Sequence, residues 1–407
     1  MKDGQKMAHF VVVGGGQAAA SLVAKLRSDG FDGRVTLISA ETVPPYQRPP
    51  LSKAYLKGEM EEERLYLRPA AFYDEHDIAL KLGTEVTAID PIAKAVTAGS
   101  DVIAYDQLAL TTGTTPRRLP AAIGGNLKGV HEVRTLKDVD GMRPSFQAGK
   151  RLLVVGGGYI GLEAAAVAAE LGLKVTVIEM ADRILQRVAA PETSSFMADL
   201  HRSHGVRILE STGLDRLLGE DHVTGARLAD GTELEVDFAI VGIGVTPCSE
   251  LAEAAGLNCD NGIAVNALGQ TSDPSIWAAG DCASFPYHGE RIRLESVQNA
   301  IDQAEAVAAN MLGANADYLP YPWFWSDQYD LRFQIAGLNT GYDRVVVRHS
   351  DGARSHWYYR GDELISVDAM NDSRAYMVAK RLIERGISPA PEVVSDPETE
   401  LKPLLKA

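Results

Sequence analysis

The chain has 407 residues, too long for one small domain, so two or three domains are expected. Its 45% hydrophobic and 23% charged content describes an ordinary globular protein, and a formal net charge of −15 argues against general nucleic-acid binding, which needs a basic footprint. The longest apolar runs are strand-length, which predicts no membrane span, and residues 1–8 are polar and unlike a secretory signal, so a cytoplasmic location is expected.

The first recognisable unit is residues 9–41, HFVVVGGGQAAASLVAKLRSDGFDGRVTLISAE. It reads as strand, Gly14-x-Gly16-x-x-Ala19, helix, Gly30, strand and an acid, Glu41. Alanine at the third position is still small enough for close helix–strand packing. Residues 44–59, PPYQRPPLSKAYLKGE, contain no cysteine, and Lys53 follows a loop stiffened by Pro49 and Pro50. Ala70–Ile103 reads as short strands with turns, and a buried strand, Leu108–Leu110, runs into Thr111, Thr112 and Gly113.

The same design returns about 140 residues later in Arg151–Glu179, RLLVVGGGYIGLEAAAVAAELGLKVTVIE. Gly156 permits the tight turn, Gly158 lets backbone approach a pyrophosphate, and Gly161 lets helix and strand pack closely. Ile160, Ala164, Val167, Ala168 and Leu171 recur at helical spacing, stopped by Gly172. The helix N-terminus offers N–H groups and partial positive charge to phosphates. Glu179, 23 residues after Gly156, can accept hydrogen bonds from ribose hydroxyls and would repel a 2′-phosphate, which favours NADH over NADPH. Two complete units point to two separate dinucleotide-binding domains.

Leu214–Val236 alternates and turns at Asp230-Gly231, as a β-meander does. Asp237–Pro247 again runs from strand into glycines, including Gly244, and Thr271–Asp281 is an apolar strand ending in Gly280-Asp281. Residues 321–407 read as an antiparallel sheet with strands at 331–337, 344–349, 354–359 and 363–368. A helix follows, Ser373–Arg385, capped by Asn371 or Asp372 and ended by Gly386. The stretch 388–407, rich in proline and charge, is expected to pack poorly. Cys248, Cys259 and Cys282 show neither C-x-x-C nor zinc spacing and read as reduced, structural thiols.

Taken together, the two glycine units, the T-T-G at 111–113, the G-x-G-x-x-P at 242–247 and the closing Gly-Asp resemble the flavoproteins with two dinucleotide-binding domains. Disulfide reductases of that group, and oxidases or peroxidases with a catalytic cysteine, do not match the cysteine-free 44–59 segment. PYQRPPLSK and PWFWSDQYDLRFQIAGL (322–338) instead resemble the NADH-dependent ferredoxin reductases of bacterial oxygenase and cytochrome P450 systems. The resemblance implies an α/β fold with two Rossmann-like domains and a C-terminal α+β domain. The FAD-binding domain would be discontinuous, 1–117 and 246–320, followed by an NADH-binding domain at 118–245 and the C-terminal domain at 321–407. It further implies FAD in the first unit and NADH in the second. Hydride would pass from nicotinamide to flavin, then single electrons to a small acidic [2Fe–2S] ferredoxin serving a cytochrome P450 or aromatic-ring dioxygenase. No nucleic-acid or membrane partner is implied.

By the same resemblance, FAD would be held by Gly14, Gly16, Gln17, Ala18, Ala19, Glu41, Thr112, Gly113 and Gly280, with Asp281 on the ribityl chain. Arg48 and Arg134 would meet its pyrophosphate, a geometry that suits guanidinium. Val86 and Val297 would contribute mainly backbone, and Trp325, beside Trp323, would neighbour the isoalloxazine. Glu41 departs from the commonest Gly-Asp-Glu pattern, standing here in Ser39-Ala40-Glu41. NADH would meet Gly156, Gly158, Tyr159, Ile160, Gly161, Glu179 and Gly244. Lys53 and Glu163 would pair, tuning the flavin and gating the nicotinamide. Arg332, Arg344, Arg348, Arg354 and Arg360, with Arg291 and Arg293, are candidates for a basic rim that steers an acidic ferredoxin. The alternatives are a rubredoxin or monodehydroascorbate-type reductase, or a flavin-bearing signalling protein resembling apoptosis-inducing factor.

Overall fold

The computed structural model describes residues 7–350 and 352–406, so the polar start at 1–6 lies outside the described residues. Packing divides the chain into two compact units. Of the described residues, one comprises those up to Gln47, Glu61–Thr115 and Val245–Pro320; the other comprises Arg48–Met60, Pro116–Gly244 and those from Tyr321 onward.

The first unit is built on a five-stranded parallel sheet in the order Ile276–Ala278, Gln107–Leu110, His9–Val13, Arg34–Ile38, Ile78–Lys81. Val11 and Val12 are wholly buried, as expected where both faces of a parallel sheet are covered. Helices Gln17–Ser28 and Val297–Met311 cover one face through Ala18, Ala19, Leu22, Ala300 and Ala304. The core on the other face includes Val86, Ile89 and Val96, from an antiparallel ribbon of Val86–Asp90, Ala95–Ala98 and Asp101–Ala104. The segment expected as strands from Ala70 opens instead with a helix, Ala70–Glu75. Its Tyr73 joins the core with Ile78, and that packing decides a stretch with no clear alternation.

The second unit contains a parallel sheet ordered Arg207–Leu209, Lys174–Ile178, Arg151–Val155, Phe238–Val241, Val130–His131. Helix Tyr159–Glu170 buries Leu162, Ala164, Ala165, Val167 and Ala168. Ile160 departs from the helical periodicity and is 46% exposed, because the glycine loop before it carries no side chains to cover the first turn. The meander forms from Leu214–Leu218, Gly225–Leu228 and Glu233–Glu235.

The same unit holds an antiparallel sheet ordered Trp323–Gln328, Leu331–Gly337, Glu363–Met370, Ala353–Arg360, Arg344–Ser350. Trp323–Gln328 adds a strand to the four expected. Helix Ser373–Arg385 packs on this sheet, capped by Asp372, whose carboxylate accepts the Ala375 N–H at 2.9 Å, and ended by Gly386 at φ +65°. The terminal stretch is better packed than its composition suggests. Val394 is fully buried and Leu401 nearly so, and Arg348 donates to the carbonyls of Val394, Asp396, Pro397 and Thr399.

Arg48–Met60, which the sequence grouped with the first unit, packs within the second. Tyr55 donates its hydroxyl to Asp140 at 2.8 Å and accepts from Arg143 at its carbonyl, while Lys57 pairs with Glu170. Among the described residues, no helix is long and apolar enough to cross a membrane.

Candidate functional site

In the first unit, Gly14 sits at φ +130° where the strand His9–Val13 turns into helix Gln17–Ser28. A Cβ there would lie 2.2 Å from the Thr111 carbonyl oxygen, so any side chain is excluded both by conformation and by space. Gly16 is the residue before the helix and caps it with no side chain, and a Cβ at that position would meet nothing within 4 Å. Gln17 and Ala18 thus open a helix with no side-chain cap and no acid in its first turn. That cradle suits a diphosphate. Ala19, fully buried, packs beneath it.

The returning chain closes on the same loop. Gly280, at φ +81°, lies so near that its Cβ would be 3.0 Å from the Ala18 methyl, and its N–H donates to Gln303. The Asp281 carbonyl accepts from Arg293, and Val297 begins the helix next along. Thr112 donates to the Cys248 carbonyl at 2.7 Å, followed by Gly113 at φ +69°. Val86 is buried at the start of its ribbon. Glu41 accepts from the Tyr46 hydroxyl at 2.5 Å, and Ser39, the departure from the common pattern, accepts the Glu41 N–H.

The second unit repeats the cradle with closer tolerances. Gly158 precedes helix Tyr159–Glu170 without a side-chain cap, and a Cβ on it would approach nothing nearer than 4.0 Å. A Cβ on Gly161 would instead lie 2.5 Å from the Gly156 carbonyl oxygen. Glu179 is held by backbone, its two oxygens accepting the Gly157 and Ala181 N–H groups at 2.8 Å each. Gly244 accepts the Arg117 N–H at its carbonyl. Tyr159 stacks obliquely 4.8 Å from Phe324, and burial, with Asp368 nearby, holds its hydroxyl well above the ordinary tyrosine range.

Also in the second unit, Lys53 Nζ lies 2.5 Å from Glu163 Oε2. Ser52 donates to that same oxygen, and Ser326 donates to Oε1, both at 2.6 Å. Glu163 is 5% exposed, so this convergence of donors is what makes a buried carboxylate tolerable. Arg48 donates to the Arg134 carbonyl, which brings the two expected phosphate-binding arginines together. Trp325 and Trp323 lie 5.7 Å apart on one strand, partly exposed, with the Lys380 ammonium over the Trp323 ring.

A family model described as pyridine nucleotide-disulphide oxidoreductase matches residues 8–304, and one described as reductase C-terminal matches 323–405. The chain belongs to the pyridine nucleotide-disulphide oxidoreductase family. It is 42% identical to rhodocoxin reductase of Rhodococcus erythropolis over 97% of this chain and 93% of that protein. It is 41% identical to putidaredoxin reductase of Pseudomonas putida over 98% and 97% of the two chains. The crystal structure of the covalent putidaredoxin reductase–putidaredoxin complex superposes with a TM-score of 0.94, at 40% identity over 98% of each chain. Unlike the disulphide members for which this oxidoreductase family is named, the chain has no cysteine near its first glycine unit, and its three cysteines are free. Burial pushes the Cys282 thiol up, which keeps it protonated and inert.

The expected basic rim does not form as a set. Arg348 is buried on the terminal stretch, Arg354 donates to His356, Arg360 pairs with Glu363, and Arg291 and Arg293 bind carbonyls of their own unit. Arg332 and Arg344 remain exposed. These guanidiniums answer local carbonyl and acid groups, a demand that counting arginines along a sequence cannot see. Sequence reasoning also missed Ser52, Ser326, Gln328 and His201, which converge on Glu163 directly or through one another. Ser52 adjoins Lys53, and Ser326 and Gln328 lie within the 322–338 stretch, so these three could have been noticed; His201 has no motif around it.

Proposed function

We propose that the protein is a cytoplasmic NADH:ferredoxin reductase that supplies single electrons to a [2Fe–2S] ferredoxin of a cytochrome P450 or dioxygenase system. The observation that carries this reading is the pair of glycine cradles, each leading into a helix with no side-chain cap, where a Cβ on the capping glycine would meet nothing nearer than 4.0 Å. Two such cradles suit one resident and one exchanging dinucleotide. The names of the relatives, rhodocoxin reductase, putidaredoxin reductase and a ferredoxin–NAD(+) reductase component of a dioxygenase system, support the choice of acceptor.

In this reading FAD, when bound, accepts two electrons as hydride from NADH and releases them singly. The Gly14–Ala19 loop would bind the FAD diphosphate, with Gly280 and Asp281 beside it. The Gly156–Gly161 loop, Tyr159, Ile160 and Gly244 bind the nicotinamide dinucleotide, and Glu179 receives the adenosine ribose hydroxyls. Lys53 supplies a fixed positive charge where negative charge builds in the reaction, and Glu163 holds that ammonium in place. Trp325 shields the reacting ring.

Steady-state reduction of cytochrome c by NADH through a panel of ferredoxins tests the reading. Strong dependence on an added ferredoxin is expected. Brisk NADH consumption by oxygen alone, unaltered by every ferredoxin tried, would overturn it.

A further inference from the structure

The hydrogen bonds that reach Glu163 do not stop at Ser326. Ser326 accepts from the Gln328 amide at 3.1 Å, Gln328 Oε1 meets His201 Nε2 at 2.7 Å, and His201 Nδ1 meets the Tyr329 hydroxyl at 3.0 Å. Ser326, Gln328 and His201 are each 1% exposed or less. The exposed His204 ring then stacks on Tyr329 at 3.7 Å, so the chain runs from a buried carboxylate to the surface inside one unit.

Its polarity is fixed from the inner end. The Glu163 carboxylate can only accept, so Ser326 must donate to it. Ser326 must then accept from the Gln328 NH₂, which turns the Gln328 carbonyl to His201. His201 therefore donates from Nε2, and its bare Nδ1 accepts from Tyr329. Burial pushes the His201 pKa down to about 4, so at neutral pH the ring is uncharged, Nδ1 is the acceptor, and every donor points toward Glu163. An amide in the middle passes protons poorly, so the chain orients groups and is not a proton wire.

A second observation stands apart from the hydrogen bonds. Tyr329 sits in the tight turn between Trp323–Gln328 and Leu331–Gly337 at φ +56°. A bulky residue in left-handed backbone is strained, and such strain persists where neighbouring contacts over-determine it. Here those contacts are the hydrogen bond to His201 and the stack on His204.

We propose that Ser326, Gln328 and His201 are positioning residues that lock the Glu163 carboxylate onto the Lys53 ammonium, with the strained Tyr329 turn as their outer anchor. The proposal rests on the assigned role of Lys53 and Glu163, but its geometry can be tested without turnover. Holoenzyme carrying Ser326→Ala, Ser326→Thr or Gln328→Met is pulse-labelled with acetic anhydride at fixed pH, and acetylation of Lys53 is read by mass spectrometry. The FAD midpoint potential is measured alongside.

Losing the Ser326 hydrogen bond to a charged acceptor should speed Lys53 labelling roughly tenfold in Ser326→Ala, and Gln328→Met, which removes the amide that orients the Ser326 hydroxyl, should speed it by a smaller factor. It should also shift the midpoint potential, and Ser326→Thr should restore both. A role in packing alone predicts that Gln328→Met, which keeps the volume, labels as the parent does. That result, or equal labelling of Ser326→Ala and parent, overturns the proposal; where Ser326→Ala fails to fold, Gln328→Met decides. Faster labelling with unimpaired ferredoxin turnover leaves the relay standing and removes the catalytic role of Lys53 and Glu163.

Discussion

The Lys53 ammonium and the Glu163 carboxylate meet at 2.5 Å across 110 residues of sequence. Glu163 is buried and Lys53 partly solvated, with side-chain exposures of 6% and 21%. Glu163→Gln keeps the shape but turns an amide toward Lys53 and Ser52. Because Lys53 keeps some water, the stability cost should be about 2 kcal/mol, below that of a wholly buried pair. Reduction of the bound flavin by NADH should slow roughly tenfold if the ammonium's placement assists that step. Stopped-flow rates matching the parent would remove that role.

Glu179 is set in position by two backbone N–H groups rather than by a side-chain partner. Glu179→Arg should therefore reverse the local charge without dismantling a network. The ratio of kcat/KM for NADH over NADPH should fall at least about tenfold, the scale of one charge-assisted contact to a 2′-phosphate. An unchanged ratio would discredit Glu179 as the ribose-facing residue.

The third positions of the two glycine units are not equivalent. Ala19 carries its methyl in a closed core, whereas a methyl on Gly161 would strike the Gly156 carbonyl oxygen at 2.5 Å and Val154 at 3.2 Å. Gly161→Ala should cost about 1–3 kcal/mol through overpacking and raise the KM for NADH as the loop shifts. The companion change Ala19→Gly should leave NADH binding alone. Equal NADH KM values for Gly161→Ala and parent would show that the loop adapts.

Acid should weaken the second unit through three buried groups. Burial takes His201 down to about 4 and His356 down to about 3, from an ordinary 6.5, and lifts Asp368 to about 6 from 3.8. As pH falls from 6.5 to 4.5, the unfolded chain binds a proton at each histidine that the native state refuses, so both contributions to stability are lost. Asp368 takes up its proton first in the native state and offsets part of that loss. The net is a fall on the order of 3 kcal/mol. Urea midpoints should be lower at pH 4.5 than at 6.5; equal midpoints would contradict the account.

Local chemistry made much of the fold legible. Helix Ser373–Arg385 announced itself through Asp372 before it and Gly386 after it, and the parallel strands through short β-branched runs ending in glycine. The strand Trp323–Gln328 was hidden because its aromatic run lacks alternation, and it becomes a strand by pairing with Leu331–Gly337. Ile160 fits a helical stripe on paper, yet its turn lies over a loop without side chains. The Ser326–Gln328–His201 chain was invisible for a deeper reason: its links to Glu163 and to His201 are long-range, and serine, glutamine and histidine carry no spacing rule until tertiary contacts choose their partners.

The sheet of the first unit seats strand Ile276–Ala278 beside Gln107–Leu110 and is covered by helix Val297–Met311. Chains emerge from the ribosome N-terminus first and fold largely by units. The five parallel strands of the second unit are all synthesised by Val241, whereas His9–Val13, made before them, waits for residues up to Met311. The sheet begun before those strands is thus completed after them, and capture of a cofactor on it follows synthesis of Met311.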